Sequence, residues 1–288
     1  MKEEKLLNGR KFADTLNLQL EKEISIVYKK TGKRPRLAAL LVGDNPASMI
    51  YVNIKRKTCE RIGVAFTLIS LDQNISKEEL FNEIDKVNNE KNINGIILQL
   101  PLPKHLKDYS MKFVERISPI KDVDGLHPYN QGKLFNYDEE FAPATPKGII
   151  ALLEHYDVEF QGKEVIIINR SNLVGKPLIF MFLKRNATIT VCHTSTVNIQ
   201  SHISRADILI VAVGQPNFIT NENIKKGVII VDVGTNRVDG KLCGDVDFDG
   251  VMNKCSKITP SPGGVGPLTV SFLCHNTFHV FKKQVNLD

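Results

Sequence analysis

Residues 165–177 read VIIINRSNLVGKP. The stretch opens on four β-branched residues, Val165 to Ile168, and breaks at Asn169 into a polar turn. Gly175-Lys176-Pro177 then has the composition of a helix start. A run that is apolar on successive residues suits a strand covered on both faces, as strands of a parallel sheet are. Strand, polar turn and helix start together aim backbone N–H groups and the positive end of a helix dipole at whatever lies over the turn. The turn matches neither the usual glycine fingerprint for dinucleotides nor a P-loop.

Working outward, six more apolar runs read as strands: RLAALLVG (36–43), VAFTLISL (64–71), GIILQL (95–100), ATITVC (187–192), DILIVAVG (207–214) and GVIIVDVG (227–234). Helical patterns separate them. Ser76 with Glu79 forms a capping box, and Thr145 followed by Pro146 supplies an N-cap and a first-turn proline. Such alternation predicts α/β domains with right-handed crossovers. It is interrupted between residues 118 and 146 by a segment rich in Pro, Gly, Asp and Asn, and the domain junction is placed at its end. From about Gly266 the chain reads as a long helix able to return to the first domain.

The 288 residues make room for about two domains. With 38 basic against 32 acidic residues the net charge is +6, a mild excess that solvated surface charge accounts for. The one dense basic run, KKTGKRPR (29–36), complements the dipole at a helix end and has no interleaved aromatics, so no nucleic-acid partner is expected. Five scattered cysteines without a C-x-x-C pair imply free thiols in a reducing compartment rather than a disulfide framework or a zinc site. His127, His193 and His275 lack metal-type spacing, and no metal is expected. The start, MKEEKLLNGRK, has no signal-peptide core, and no apolar run approaches spanning length. The expectation is a cytoplasmic protein without a membrane partner.

Three strand ends carry small or polar residues: the opening turn, Val213-Gly214-Gln215-Pro216 and Val233-Gly234-Thr235-Asn236. Ligands of open α/β sheets bind outside the carboxyl ends of strands, and three such ends suggest one dinucleotide lying across them. Arg170 could pair bidentately with a phosphate, favouring NADP over NAD. Equally, Gly, Asn and Ser serve backbone geometry in such turns, and a solvated arginine fits the same residue. A second set lies in the first half. Tyr51 and Lys55 are four apart and share a helix face; Gln99 ends a strand; Asp122 and Asp124 sit in the junction loop. Together they could surround a flat heterocycle, with tyrosine stacking, aspartate accepting from ring N–H groups and a desolvated lysine moving protons. Taken singly these residues are commonplace, and most such lysines are simply hydrated.

The ordered set YVNIK (51–55), QLPLP (99–103), KDVDG (121–125), TPKG (145–148), RSNLVGKP (170–177), GDVDF (244–248) and PGGVGPLT (262–269) closely resembles the bifunctional methylenetetrahydrofolate dehydrogenase/methenyltetrahydrofolate cyclohydrolase family. The matches span nearly the whole chain. The resemblance implies two α/β domains with a cleft between them: a folate-binding catalytic domain over 1–145 plus the helix at about 267–288, and a Rossmann-like NAD(P)-binding domain over 146–266. It implies a homodimer, a tetrahydrofolate substrate, and NADP as cofactor with NAD as the alternative. It makes Lys55 the central catalytic residue, with Tyr51, Gln99 and Asp124 assisting. Leu98, Leu100, Pro262, Gly263, Gly264 and Val265 line the folate, while Asn169, Arg170, Ser171, Gly175, Thr194, Gly214, Gly234 and Thr235 fall on the dinucleotide side.

Four positions depart from the family pattern. Asn169 stands for a usual glycine, where tolerance of left-handed backbone would preserve the turn. Thr235 replaces isoleucine, Ala144 replaces cysteine, and the residues after His193 are Thr-Ser-Thr without the basic residue often found there. All lie on or near the cofactor side. Two other readings stay open: a dehydrogenase without hydrolytic activity, and a non-catalytic folate- or dinucleotide-binding protein.

Overall fold

A computed structural model describes residues 3–287. In chain order the elements are α1 (Gly9–Thr31), β1 (Arg36–Val42), α2 (Pro46–Ile62), β2 (Ala65–Leu71), α3 (Lys77–Asn89), β3 (Gly95–Leu98), α4 (Ser110–Arg116) and α5 (Pro128–Phe135). There follow α6 (Ala144–His155), β4 (Glu164–Ile168), α7 (Gly175–Leu183), β5 (Thr188–Cys192), α8 (Ile199–Ile203), β6 (Ile208–Val211) and β7 (Ile229–Asp232). Last come β8 (Asn236–Val238), β9 (Lys241–Cys243), α9 (Phe248–Val251), β10 (Lys257–Ile258) and α10 (Val265–Gln284). All seven strands read from apolar runs are present.

The chain divides into two compact units. One contains Thr15–Lys133, Glu140–Ala144 and the chain from Val270 onward. Its sheet is parallel, in the order β2-β1-β3, with Leu37 opposite both Phe66 and Gly95. Strand β1 is central, and every residue from Leu37 to Val42 is buried, as its unbroken apolar run requires. The C-terminal helix packs here: Leu273, Cys274, Phe278 and Phe281 join Leu37, Ala39 and Cys59 in one core.

The other unit holds the residues up to Asp14, Leu134–Glu139 and Thr145–Thr269. Its five-stranded sheet, order β10-β7-β6-β4-β5, is parallel throughout. The opening run forms β4, between β5 and β6; Ile167 lies opposite Val191 and Ile210. Val165 to Ile168 are at most 2% exposed, and burying each of these side chains contributes about 1.5–3 kcal/mol. The start of the chain completes the far edge. Leu6 bridges Ile258 in parallel, Leu7 N donates to Ile258 O at 2.9 Å, and Lys5 Nζ donates to the carbonyls of Met252 and Cys255.

Three expectations need correction. Helix α6 begins at Ala144, so Thr145 is not its N-cap; its hydroxyl instead meets that of Thr269 at 2.9 Å. The segment 118–146 is not wholly irregular, because α5 lies within it. An antiparallel hairpin, β8–β9, and the two-residue β10 add to the seven foreseen strands. The capping box of Ser76 and Glu79 is present in full.

Helix α2 starts directly after β1 through Asn45, whose side-chain oxygen accepts from Ala47 N and Ser48 N, with Pro46 in the first turn. Asn45→Ala removes this cap and is expected to cost about 1 kcal/mol. In urea unfolding the midpoint should fall with the slope unchanged.

Candidate functional site

In the first unit, two adjoining elements bring Lys55 and Gln99 together. Lys55 lies near the middle of α2, and Gln99 is the residue after β3. Gln99 N still donates to Leu40 O at 2.9 Å, so its backbone remains tied to the central strand. Its side-chain Nε2 donates to Leu100 O at 2.7 Å, which fixes the amide and turns Oε1 towards the lysine. Lys55 Nζ donates to that oxygen at 2.9 Å. Removal from water, the largest effect, lowers the lysine pKa from its usual value; the charges of Asp124 and Cys59 oppose this. Asp124 is raised, again chiefly by burial, with Lys55 pulling the other way. Both groups are thus moved towards neutrality, as desolvated ionisable groups are.

The two junction aspartates have separate jobs. Asp122, 2% exposed, accepts from the backbone N–H groups of Gly125, Leu126 and His127 and from Asn130 Nδ2. It shapes the loop. Asp124 is left to interact with Lys55. Tyr51, one turn before Lys55 on the same face, is 45% exposed, so its ring is available to stack. Leu98 is buried beneath and Leu100 half-buried beside them.

In the second unit, the turns after β4, β6 and β7 lie side by side because those strands are adjacent in the sheet. The order switches direction between β4 and β6, where open α/β sheets take their ligands. Arg170, Ser171, Thr194, Gly214 and Thr235 are exposed at these ends and at the end of β5. Asn169 does something the left-handed expectation missed. Its backbone is not among the positive-φ positions. Instead its side-chain Oδ1 accepts from Ser171 N at 2.8 Å, Ser171 Oγ at 2.7 Å and Gly175 N at 3.0 Å, while Nδ2 donates to Ala212 O at 2.7 Å. One amide therefore closes the turn and joins it to the end of β6. Gly175 sits so close that a Cβ there would overlap the Asn169 carbonyl, which brings the N-terminus of α7 against the strand end.

Two buried aspartates were not read as site residues. Asp245, fully buried, accepts from Val213 N at 2.6 Å, Gly214 N at 3.0 Å and Gln215 N at 2.9 Å, and from Asn236 Nδ2 at 2.8 Å. Asp232, 5% exposed, accepts from Gly234 N at 2.9 Å, Asp245 N at 3.0 Å and Val246 N at 3.0 Å. The approach is reciprocal: a Cβ on Gly234 would overlap the Asp245 carboxylate, and one on Gly244 the Asp232 carboxylate. The signal was legible as an aspartate two residues before a glycine at one strand end and a Gly-Asp pair in GDVDF. Pro262 to Gly264 and Val265 belong to this unit, not to that of Lys55. They form the turn into α10, where Gly263 O accepts from Arg10 N at 2.8 Å.

The family model described as tetrahydrofolate dehydrogenase/cyclohydrolase, catalytic domain, matches residues 7–124, and the NAD(P)-binding domain of the same family matches residues 143–285. The chain is 46% identical to the bifunctional protein FolD of Bacillus subtilis (strain 168) over 282 residues, covering 98% of this chain and 99% of that protein. The crystal structure of the bifunctional enzyme FolD from Campylobacter jejuni superposes with a TM-score of 0.93 at 42% identity, covering 96% of this chain and 98% of that one. FolD from Trypanosoma brucei, complexed with NADP cofactor and inhibitor, gives 0.92 at 34% identity, covering 97% and 98%.

Burial, the largest effect, pushes the Asp232 carboxyl up to about 6 against its three backbone donors, and the Asp245 charge pushes the same way. A carboxyl raised in the folded state holds its proton more tightly there than when unfolded. Its stabilising proton is fully present below the unfolded value, near 4, and lost as pH rises through about 6. Difference infrared titration should show a protonated-carboxyl band with a midpoint near 6 that Asp232→Asn removes; a midpoint near 4 would contradict the assignment.

Proposed function

We propose that Lys55 handles the proton of the hydrolytic step in a chain that belongs to the tetrahydrofolate dehydrogenase/cyclohydrolase family. The protein is an enzyme of one-carbon metabolism. It oxidises 5,10-methylenetetrahydrofolate to the methenyl form and hydrolyses that product to 10-formyltetrahydrofolate, using NADP. The unit containing Lys55 takes the folate, and the unit with the five-stranded sheet takes the dinucleotide. Asn169, Arg170, Ser171, Gly175, Thr194, Gly214, Gly234 and Thr235 form the dinucleotide side. Leu98, Gln99, Leu100 and the Pro262–Val265 turn serve the folate.

The second unit fits a dinucleotide. The start of α7 is held at the sheet edge by Asn169 and Gly175, offering the positive end of a helix dipole, and Arg170 is exposed beside it. Arg170 is assigned to a phosphate of NADP, by bidentate pairing. Oxidation of the methylene bridge passes a hydride to the nicotinamide, which is the chemistry the dinucleotide supplies when bound. That step leaves a cation shared by two nitrogens and abstracts no proton, so the chain's task is orientation.

Hydrolysis is different. Water adds to the methenyl carbon, one carbon–nitrogen bond opens, and a proton is released. A group able to accept and return protons is needed. The observation that carries the reading is the hydrogen bond from Lys55 Nζ to an oriented Gln99 Oε1, in surroundings that lower the lysine pKa. An uncharged amine accepts a proton from the attacking water and does not repel the cationic substrate. Gln99 holds it in place, Asp124 binds ring N–H groups, and Tyr51 covers the ring.

A homodimer is also proposed. What supports it is the edge of the three-stranded sheet at β2, where Leu68 is 38% exposed and Ser70 on the same face is exposed too. Unprotected edges of this kind are ready to pair. Cytoplasmic location rests on five free cysteines. No helix among the described residues is long and apolar enough to cross a membrane.

Methylenetetrahydrofolate with NADP should give a methenyl absorbance that then decays. Lys55→Met should slow the decay by about 10²–10⁴-fold, the usual worth of acid–base catalysis, with NADP still bound. Unchanged decay in the folded variant removes Lys55 from the mechanism. Leu68→Lys should shift the dimer to monomer in light scattering.

A further inference from the structure

The loop after β6 is an unusual partner for an anionic cofactor, because its backbone donors are already taken. Successive N–H groups of Val213, Gly214 and Gln215 converge on one carboxylate, that of Asp245, in the way such a nest would hold a phosphate oxygen. The same carboxylate takes Asn236 Nδ2, from the first residue of β8, where the loop after β7 ends. Behind it, Asp232 collects Gly234 N from that second loop and the N–H groups of Asp245 and Val246. Every partner in this chain of contacts lies in the sheet-bearing second unit.

We infer that Asp245, backed by Asp232, is a positioning residue for the dinucleotide: an internal anion that holds the loops after β6 and β7 in the shape the cofactor meets. The inference rests on the dinucleotide reading above and deepens it. Two observations make the role more than packing. First, burying two carboxylates side by side is unfavourable, and what the pair supplies in return is acceptors for six backbone N–H groups in the segments that follow β6 and β7. Second, Gly234 and Gly244 are each placed where only the absence of a side chain admits the opposing carboxylate. What the pair accomplishes is the fixing of exposed residues Gly214, Gln215 and Thr235 at adjacent strand ends. It also removes three N–H groups from the phosphate's reach. The pyrophosphate is thereby left to the Arg170 side chain and to the dipole of α7, whose own first donors, Gly175 N and Lys176 N, are paired with Asn169 Oδ1 and Ser171 O.

The groups facing the pair are few. Asp232 meets the Asp245 charge from the 244–246 segment, and from the strand edge only the neutral Thr259, whose hydroxyl accepts from Asp232 N at 2.8 Å. Acid should act through Asp232 first, since it is the carboxyl raised to about 6.

The test is calorimetric titration of NADP into the full-length protein, with steady-state dehydrogenase kinetics alongside. Asp245→Asn keeps the shape but turns a donor towards backbone donors. It should raise the NADP dissociation constant and KM about tenfold or more, a loss near 1.4 kcal/mol per tenfold, while kcat at saturating NADP changes less than twofold. Asn236→Ala is milder: it removes one side-chain donor from the carboxylate and leaves the three backbone donors in place, and should weaken NADP about threefold. It decides the matter if Asp245→Asn does not fold. Wild-type affinity should also weaken below pH 6, and this step should be absent in Asp232→Asn. NADP affinity within twofold of wild type in folded Asp245→Asn, or in Asn236→Ala when the former does not fold, overturns the inference. Failure of the unaltered protein to bind NADP or NAD would instead overturn the dinucleotide reading itself.

Discussion

Parallel strands all release the chain at the same edge of a sheet, and the backbone there has lost its ladder partners without yet gaining helical ones. Buried N–H groups cannot be left unpaired. In this protein the task falls to side-chain oxygens planted at the strand ends. Asn169 serves the end of β4, Asp245 the end of β6 and Asp232 the end of β7, while Asp122 does the same for the loop between α4 and α5. Each closes its turn by accepting two or more main-chain N–H groups. The loops so tied after β4, β6 and β7 carry the exposed residues Arg170, Ser171, Gly214 and Thr235. Satisfying the backbone and shaping the site are therefore a single act here.

The Lys55 centre applies the same economy to a side chain. Gln99 is anchored twice, through its backbone to β1 and through its amide to Leu100, before it accepts from the lysine. An amine so positioned loses water, and that desolvation is what moves it towards the uncharged form. Asp124 opposes that shift electrostatically. Any group that engages Asp124 will alter this opposition and with it the state of the lysine.

Much of this was legible beforehand, for identifiable reasons. The buried strands announce themselves because two covered faces demand unbroken apolar runs; Val165–Ile168 is the clearest case. The hairpin β8–β9 was missed although Asp239-Gly240 is a strong turn signal, since its three-residue strands are exposed and carry no apolar pattern. Two-residue β10 exists only through its neighbour. Thr145 looked like a cap because local composition favoured it, yet its hydroxyl is engaged by Thr269, far along the chain. The spacing of Tyr51 and Lys55 alone says little, as any helix offers it; only the family resemblance raised those residues above their surroundings. The reading of Asn169 erred in kind. It weighed backbone conformation, whereas the side chain supplies the acceptor.

The opening residues of the chain carry a consequence for folding. Leu6 and Leu7 pair with Ile258, and Lys5 reaches carbonyls 247 and 250 positions away. Residues 5–7 must then wait for residues 252–258 before they find their place at the edge of β10. Contacts so distant in sequence form slowly. Closure of this edge of the five-stranded unit is therefore a late step, set by contacts that span as many as 250 positions.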